Sequence, residues 1–433
     1  MLLKNARIIN PKTKFDGISD IRIENGKISE ISKGISPQEN EETHDFSGLV
    51  ITPGLVDVHC HLREPGYNAK ETIKTGILSA IQGGYTGICP MANTKPVNDN
   101  LMTLSYMFAK AKEVAEIGFY PICAVTKNLE GTNIVNVSEL IDGGAVAFSD
   151  DGKPVEDLNL LRCALKYINS LGSFIISHSE DSSLARGGVI NEGEISAKLG
   201  LKGIPYLAES IAVARELEIV RETGCKYHFA HISTKRSVEL IRQAKKDGLR
   251  VTCETAPHYF SLTQDDMLPY DARFKMNPPL RTNEDLNAIV EGLKDVTIDI
   301  IATDHAPHKV HEKQLPIQNS PMGIVGFETA LGLTLTNLVH KNRLTLSEAI
   351  SKLTSSPSEI FNIKGQGNIE VGQDANLTVI DLNEKWTVNA SKFVSKCRIS
   401  PFDGMELTGR AVKTIIKGKI FDVRQKNENK RKN

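Results

Sequence analysis

His59 and His61 flank Cys60 at the end of an apolar run, LVDVHCH at 55–61. In an extended segment alternate side chains share a face, so the two imidazoles point the same way and can share a metal ion. Further along, Asp150-Asp151 close the run AVAFSDD, His178 ends FIISH, His231 lies in YHFAHI, and Asp304-His305 end DIIATDH. Imidazoles and carboxylates are the donors that zinc-like divalent cations favour. Each of these residues has an ordinary reading on its own, as a satisfied core histidine or a helix-capping aspartate. Together, four histidines and two aspartates at one end of a fold would repel and lose solvation unless cations neutralised them. The pattern therefore predicts a binuclear metal site.

For those side chains to meet, the runs that carry them must be strands ending at one rim. Eight such runs recur: LVDVHCH at 55–61, GICPMAN at 87–93, FYPICAV at 119–125, AVAFSDD at 145–151, FIISH at 174–178, YHFAHI at 227–232, RVTCETA at 250–256 and DIIATDH at 299–305. Amphipathic helical patterns fit between them, as at 209–224 and 236–248. Near-continuous apolar strands alternating with helices predict an α/β fold, a parallel TIM-like (β/α)8 barrel over 51–364, with its chemistry at the C-terminal strand ends. An open doubly wound sheet is the alternative. No GxGxxG follows the first strand and no Walker A sequence occurs, which weighs against nucleotide-binding folds.

The terminal segments read differently. Residues 1–50 and 365–425 alternate apolar and polar side chains, with a hairpin signal at Asn25-Gly26 and turns at Gly372-Gln373-Asp374 and Lys417-Gly418. They predict one discontinuous, small β-sandwich domain built from both chain termini, two unrelated hairpins being the alternative. Residues 426–433 read as a disordered charged tail.

Lys and Arg total 52 against 53 Asp and Glu, a net charge of −1. That balance excludes a nucleic-acid binder working by bulk charge. No apolar run approaches the ~18 residues of a membrane helix, and the N-terminus carries no signal-peptide pattern. Seven cysteines with no CxxC pair favour a reducing, cytoplasmic compartment, where they serve as small core residues.

The run Val56-Asp57-Val58-His59-Cys60-His61-Leu62-Arg63-Glu64-Pro65-Gly66 resembles the first signature of the dihydroorotases, in the amidohydrolase superfamily. Ala302-Thr303-Asp304-His305-Ala306-Pro307-His308 resembles their second, and Met91-Ala92-Asn93-Thr94 and Ser149-Asp150-Asp151-Gly152 fit the same pattern. The resemblance spans nearly the whole chain, in the order of the class I, bacterial-type enzymes. It implies a cyclic amide hydrolase that reversibly closes N-carbamoyl-L-aspartate to L-dihydroorotate and water, in de novo pyrimidine (UMP) synthesis. It also implies two zinc ions per chain. His59 and His61 would hold the first, His178 and His231 the second; Asp151 would bridge them, and Asp304 would contact the first and move protons. Many relatives bridge with a carboxylated lysine, and Lys153, just past Asp151, is the alternative here.

The resemblance further places His61, Arg63, Asn93, Asn277, His308 and the backbone of Met322-Gly323 against the substrate. The planar fork of Arg63 suits a carboxylate; an ordinary surface ion pair is its other reading. The two asparagines could equally form turns. The stretch 307–327 lacks a clear period and is either a mobile loop over the site or a passive excursion. His305 either faces the metals or points away. His258 is followed by Tyr259 where many relatives carry a second histidine, and neither takes a metal role. His44, His228, His311 and His340 are assigned no function.

The partners implied are a small-molecule substrate, a second copy of the chain as the default for soluble oligomers, and, by family habit, a contact with aspartate carbamoyltransferase. Two rivals stand. Allantoinases and dihydropyrimidinases share HxH but usually carry a bridging lysine and lack both the arginine of HxHxR and the DHAPH context. Metal-free relatives act as partner proteins, but all six ligand positions are filled here.

Overall fold

Every residue of the strand Leu55–Cys60 is buried, as a strand covered on both faces must be. It pairs in parallel with Tyr85–Pro90, which pairs in parallel with Gly118–Phe119. Parallel bridges Cys123–Phe148 and Phe148–Ile175 carry the pairing on. Ile175–Ser177, Tyr227–Phe229, Val251–Thr255 and Ile300–Ile301 follow as successive parallel neighbours. His305 then bridges back to Cys60, and the His61 amide donates to the His305 carbonyl at 2.8 Å. In this computed structural model, which describes residues 1–423, the chain is thus a mixed α/β protein whose parallel pairings return to their first strand. The predicted tail at 426–433 lies outside the described residues.

Helices lie between the strands, among them Ile73–Gln82, Leu101–Lys112, Leu158–Ser170, Leu207–Thr223, Lys235–Lys246 and Asn283–Lys294. Thr72, Asn100, Asp157, Thr234 and Thr282 start five of them, each side chain accepting a bond from a first-turn N–H. Such caps satisfy donors that a helix start otherwise leaves open.

Several strands are shorter than their apolar runs, for local reasons. In FYPICAV the regular strand ends at Phe119, although the Tyr120 and Ile122 amides still donate to Ile88 and Pro90, each at 2.9 Å; the Val125 and Thr126 amides turn instead to the Asp150 carboxylate, at 2.7 and 3.0 Å. AVAFSDD forms no regular strand of its own, yet it joins the pairing through Phe148 and through backbone bonds of Val146 to Pro121 and of Ala147 and Ser149 to Cys123. In DIIATDH the ladder ends at Ile301. There the Thr303 amide goes to Asp57 at 2.7 Å, and Asp304 takes a left-handed φ of 47°.

Strands from both ends of the chain join in one eight-stranded sheet. Val50–Pro53 lies between Leu2–Asn10, its parallel neighbour, and Leu377–Thr387, its antiparallel one. Leu3, Ile8, Ile21, Ile51, Leu377, Val379 and Ile415 form a core of their own beneath it. Asn25 and Gly26 both have positive φ, 51° and 77°, as a two-residue hairpin turn with the right twist requires. Lys417 and Gly418 repeat that turn with φ of 45° and 78°. The Gly372–Asp374 turn instead hydrogen-bonds to the Lys27–Ser32 strand, through Ile28 to Gln373 at 2.9 Å and Gly372 to Ile28 at 2.7 Å. Six cysteines are buried; Cys163 is exposed, and so is not the core residue expected. Among the described residues no helix is long and apolar enough to cross a membrane.

Gly54 joins the terminal sheet to the first inner strand, and a Cβ there would lie 2.0 Å from Thr86 Oγ1. Gly54→Ala is therefore expected to lower stability by ~1–3 kcal/mol, the usual scale of overpacking. Thermal melts read the change, and an unaltered midpoint would contradict the packing described.

Candidate metal centre

His59 and His61 leave the end of their strand on one face, with ring centroids 5.2 Å apart. His59 Nε2 faces Asp151 Oδ1 and Asp304 Oδ1, each at 3.6 Å. His61 Nε2 lies 3.1 Å from Asp304 Oδ1 and 3.6 Å from Asp151 Oδ2. On the other side of Asp151, His178 Nδ1 and His231 Nε2 stand 3.5 and 3.6 Å from Oδ1. Asp151 therefore belongs to two triads, His59–His61–Asp151 and Asp151–His178–His231, all buried, with the donor atoms of each triad within 4.8 Å of one another. Six side chains spread from position 59 to 304 meet at one place.

The arrangement has the marks of a cation site. His59 Nε2 and Asp151 Oδ1 are buried and lack a hydrogen-bond partner, a state that costs ~1–3 kcal/mol per group when nothing else compensates. His178 Nδ1 and His231 Nε2 are only 2.8 Å apart. Imidazole nitrogens and carboxylate oxygens converging so closely suit a borderline divalent metal. Burial alone would lower the His59 imidazole, but Glu254, Asp151 and Asp304 push it up to about 10. Asp304 is held well below the usual carboxylate range: burial opposes this, and the bond from His61 and the charges of His59 and His61 overcome it. Carboxylates that bind a proton on histidine so firmly will also bind a metal cation there.

Glu254 orients this centre and is absent from the sequence reading. His59 Nδ1 donates to Glu254 Oε1 at 2.6 Å, which leaves the Nε2 lone pair for the centre. His228, given no function above, lies 3.2 Å from the other oxygen through Nε2 and 2.7 Å from Thr252 through Nδ1. Burial would raise the Glu254 carboxyl, yet His59 and His228 bring it down to about 2. A glutamate inside the apolar run RVTCETA was the available signal, since a buried charge needs a partner.

Asn93 is no turn former: Oδ1 accepts from His61 Nδ1 at 2.9 Å, and Nδ2 reaches Asp151 at 3.4 Å. Asn277 donates to Glu180 at 3.0 Å and lies 3.3 Å from His178 Nε2, while its own Oδ1 is buried without a partner. Arg63 is half-buried and donates to the Pro307 carbonyl at 3.2 Å, which is not the geometry of a surface ion pair. His308 Nε2 bonds the Met322 carbonyl at 2.7 Å. Gly323, with φ of 127°, packs so closely that a Cβ would lie 2.7 Å from the Ala306 carbonyl.

Other residues stand outside the centre. Lys153 is exposed. Asp150 is occupied with the Val125 and Thr126 amides. His305 turns away, accepting from Gly326 at 3.2 Å and stacking on Phe327. His258 packs on Tyr259, and burial takes it down to about 4. The stretch 307–327 is tied down, with Lys313 Nζ on the Lys275 and Pro321 carbonyls and Lys275 Nζ on the Ile317 and Ser320 carbonyls.

Residues 48–237 match the family model described as dihydro-orotase-like. A dihydroorotase of Geobacter metallireducens is 47% identical, over 97% of this chain and 99% of its own length. The chain belongs to the dihydroorotase family. A second family member, from Acetivibrio thermocellus, is also 47% identical, over 98% of this chain and 99% of its own. Among solved structures, an L-hydantoinase (dihydropyrimidinase) from Arthrobacter aurescens matches with a TM-score of 0.88 at 29% identity, covering 97% of this chain and 95% of that one. A D-hydantoinase (dihydropyrimidinase) from Thermus sp. gives a TM-score of 0.84 at 23% identity, covering 98% and 96%, a likeness of fold. As a member of the dihydroorotase family, the chain is a cyclic amide hydrolase.

Glu254→Gln is expected to weaken metal retention by ~10–100-fold, the usual effect of removing the partner of a liganding histidine. Competition with a chelator followed by elemental analysis measures it. Retention equal to the parent would remove Glu254 from the orienting role.

Proposed function

We propose that the chain is a zinc-dependent dihydroorotase, closing N-carbamoyl-L-aspartate to L-dihydroorotate and water, and reopening it, in pyrimidine synthesis. The observation that carries this reading is Asp151 standing between two histidine pairs in a chain that aligns end to end with dihydroorotases. His59, His61 and Asp304 would hold one zinc and His178 and His231 another, with Asp151 touching both. Bound there, two divalent ions supply Lewis acidity, making water a nucleophile near neutral pH and polarising a ring carbonyl.

The chain's own residues do the rest. In ring opening a C–O bond forms at the ring carbonyl and the C–N bond to the ring nitrogen breaks. Asp304, 3.1 Å from His61 Nε2, accepts the proton of the nucleophile and delivers it to the departing nitrogen. Closure runs the same transfers backwards. The Thr303 amide and hydroxyl, both 2.7 Å from Asp57, hold the backbone that aims Asp304. Arg63 would grip the substrate carboxylate with its planar fork, and His61, Asn93, Asn277, His308 and the Met322-Gly323 backbone would complete the substrate pocket.

The same reading extends to the architecture. A closed (β/α)8 barrel over 51–364 is supported by the pairing of His305 with Cys60. A small β-sandwich domain from 1–50 and 365–425 is supported by the joint terminal sheet. Cytoplasmic location and a homodimer belong to it by enzyme class and by the prevalence of two-fold oligomers. The hydantoinase likeness favours one rival, hydrolysis of other cyclic amides.

A panel of dihydroorotate, hydantoin and allantoin, run beside elemental analysis of the same sample, decides between them. Turnover of dihydroorotate with zinc bound is expected; opening of hydantoin or allantoin alone would sink the proposal. Asp304→Ala is expected to lose ~10²–10⁴-fold in turnover, the scale of a proton-transfer group, while circular dichroism shows the fold kept. Near-parental turnover would remove Asp304 from that role.

A further inference from the structure

Lys70 lies just before the helix Ile73–Gln82, half-buried, and neither the sequence reading nor the reaction described above uses it. Its Nζ stands 3.1 Å from His308 Nδ1 and 3.7 Å from Glu312. An ammonium offers donors and no acceptor. The facing Nδ1 must therefore present its lone pair. At the opposite edge of the ring, Nε2 is 2.7 Å from the Met322 carbonyl. That oxygen only accepts, so Nε2 carries the proton. Two separate contacts thus assign one tautomer, the neutral ring with hydrogen on Nε2.

The surroundings agree. Burial, with Arg63, Lys70 and Lys313 nearby, pushes His308 down to about 2, so the ring stays neutral. Glu312, at 3.8 Å from Nδ1, is the acid that would favour the other tautomer. Arg63 lies 3.4 Å from Nε2. Because that nitrogen already carries hydrogen, the arginine does not donate to it. The guanidinium and the Nε2–H are instead two donors standing side by side. A Cβ on Gly323 would come within 3.0 Å of Nε2, so the same ring edge borders the Met322-Gly323 backbone.

We propose that Lys70 is a positioning residue for carboxylate recognition: by donating to His308 Nδ1 it holds the ring as the Nε2–H tautomer, so that a donor and not a lone pair stands beside Arg63. The proposal rests on the functional reading above, in which that corner receives the substrate carboxylate. Without Lys70 the Met322 carbonyl alone holds the proton on Nε2, and Glu312 competes for it at Nδ1. In the molecules that shift, a lone pair on Nε2 faces both the Met322 carbonyl and any incoming carboxylate, and repels them.

The test combines spectroscopy with kinetics. In protein labelled with ¹⁵N-histidine, two-bond ¹H–¹⁵N spectra read each tautomer, the His308→Ala spectrum assigning the signal. The parent is expected to show the Nε2–H pattern alone without substrate, and Lys70→Met to gain an Nδ1–H population; an unmixed Nε2–H pattern in Lys70→Met would overturn the proposal. With dihydroorotate, Lys70→Met is expected to raise KM about tenfold with kcat within about threefold, the scale of one lost charge-assisted hydrogen bond. Bound zinc should be unchanged, and Lys70→Arg should restore most of the KM. In the His308→Ala background, Lys70→Met should add nothing, because the two residues act as one unit. Additive losses, or an Nδ1–H pattern in the parent, would overturn the proposal. A parent with the Nε2–H pattern but no dihydroorotate turnover would overturn the functional reading and leave the lysine–histidine pairing standing.

Discussion

One buried carboxylate, Asp151, organises the centre. Its oxygens are ringed by His59, His61, His178 and His231 at 3.5–3.6 Å. An unpaired anion at that depth would be strongly disfavoured. Four imidazoles without a shared counter-charge would have nothing to turn toward. Each makes the other tolerable, and bound metal would complete the balance. The lengths of the strands, the caps on the helices and the turns after the strand ends all serve to bring these residues to one point.

Supporting groups hold that point rigid. Glu254 grips the far nitrogen of His59, Asn93 that of His61, and Asp57 the backbone before Asp304. These are polar groups buried in or beside apolar strands, where the low dielectric makes each bond strong and each missing bond expensive. Carboxylates also take amides that strand partners would otherwise receive: Asp150 those of Val125 and Thr126, Asp57 that of Thr303.

Much of this was legible in the sequence because strands alternate and helices repeat. His59 and His61 had to share a face, and the helices at Leu207–Thr223 and Lys235–Lys246 sit where their apolar periodicity puts them. Asn25-Gly26 turns as its chemistry demands. What stayed hidden depends on contacts distant in the chain. Nothing local says that Glu254 meets His59, or that Lys70 meets His308. Periodicity also cannot show that Asp150, at the end of AVAFSDD, takes up the Val125 and Thr126 amides of a different run.

The terminal sheet carries a consequence for how the molecule is made. Val50–Pro53, beside the first inner strand, takes its antiparallel neighbour from Leu377–Thr387. As the chain leaves the ribosome, that edge waits with open N–H and C=O groups until more than three hundred further residues, through Leu377–Thr387, have emerged. Exposed strand edges invite pairing with other chains. The nascent protein is therefore vulnerable to aggregation through that whole interval, and a truncation that spares every residue of the metal centre but removes Leu377–Thr387 and the strands after it would leave that edge open for good.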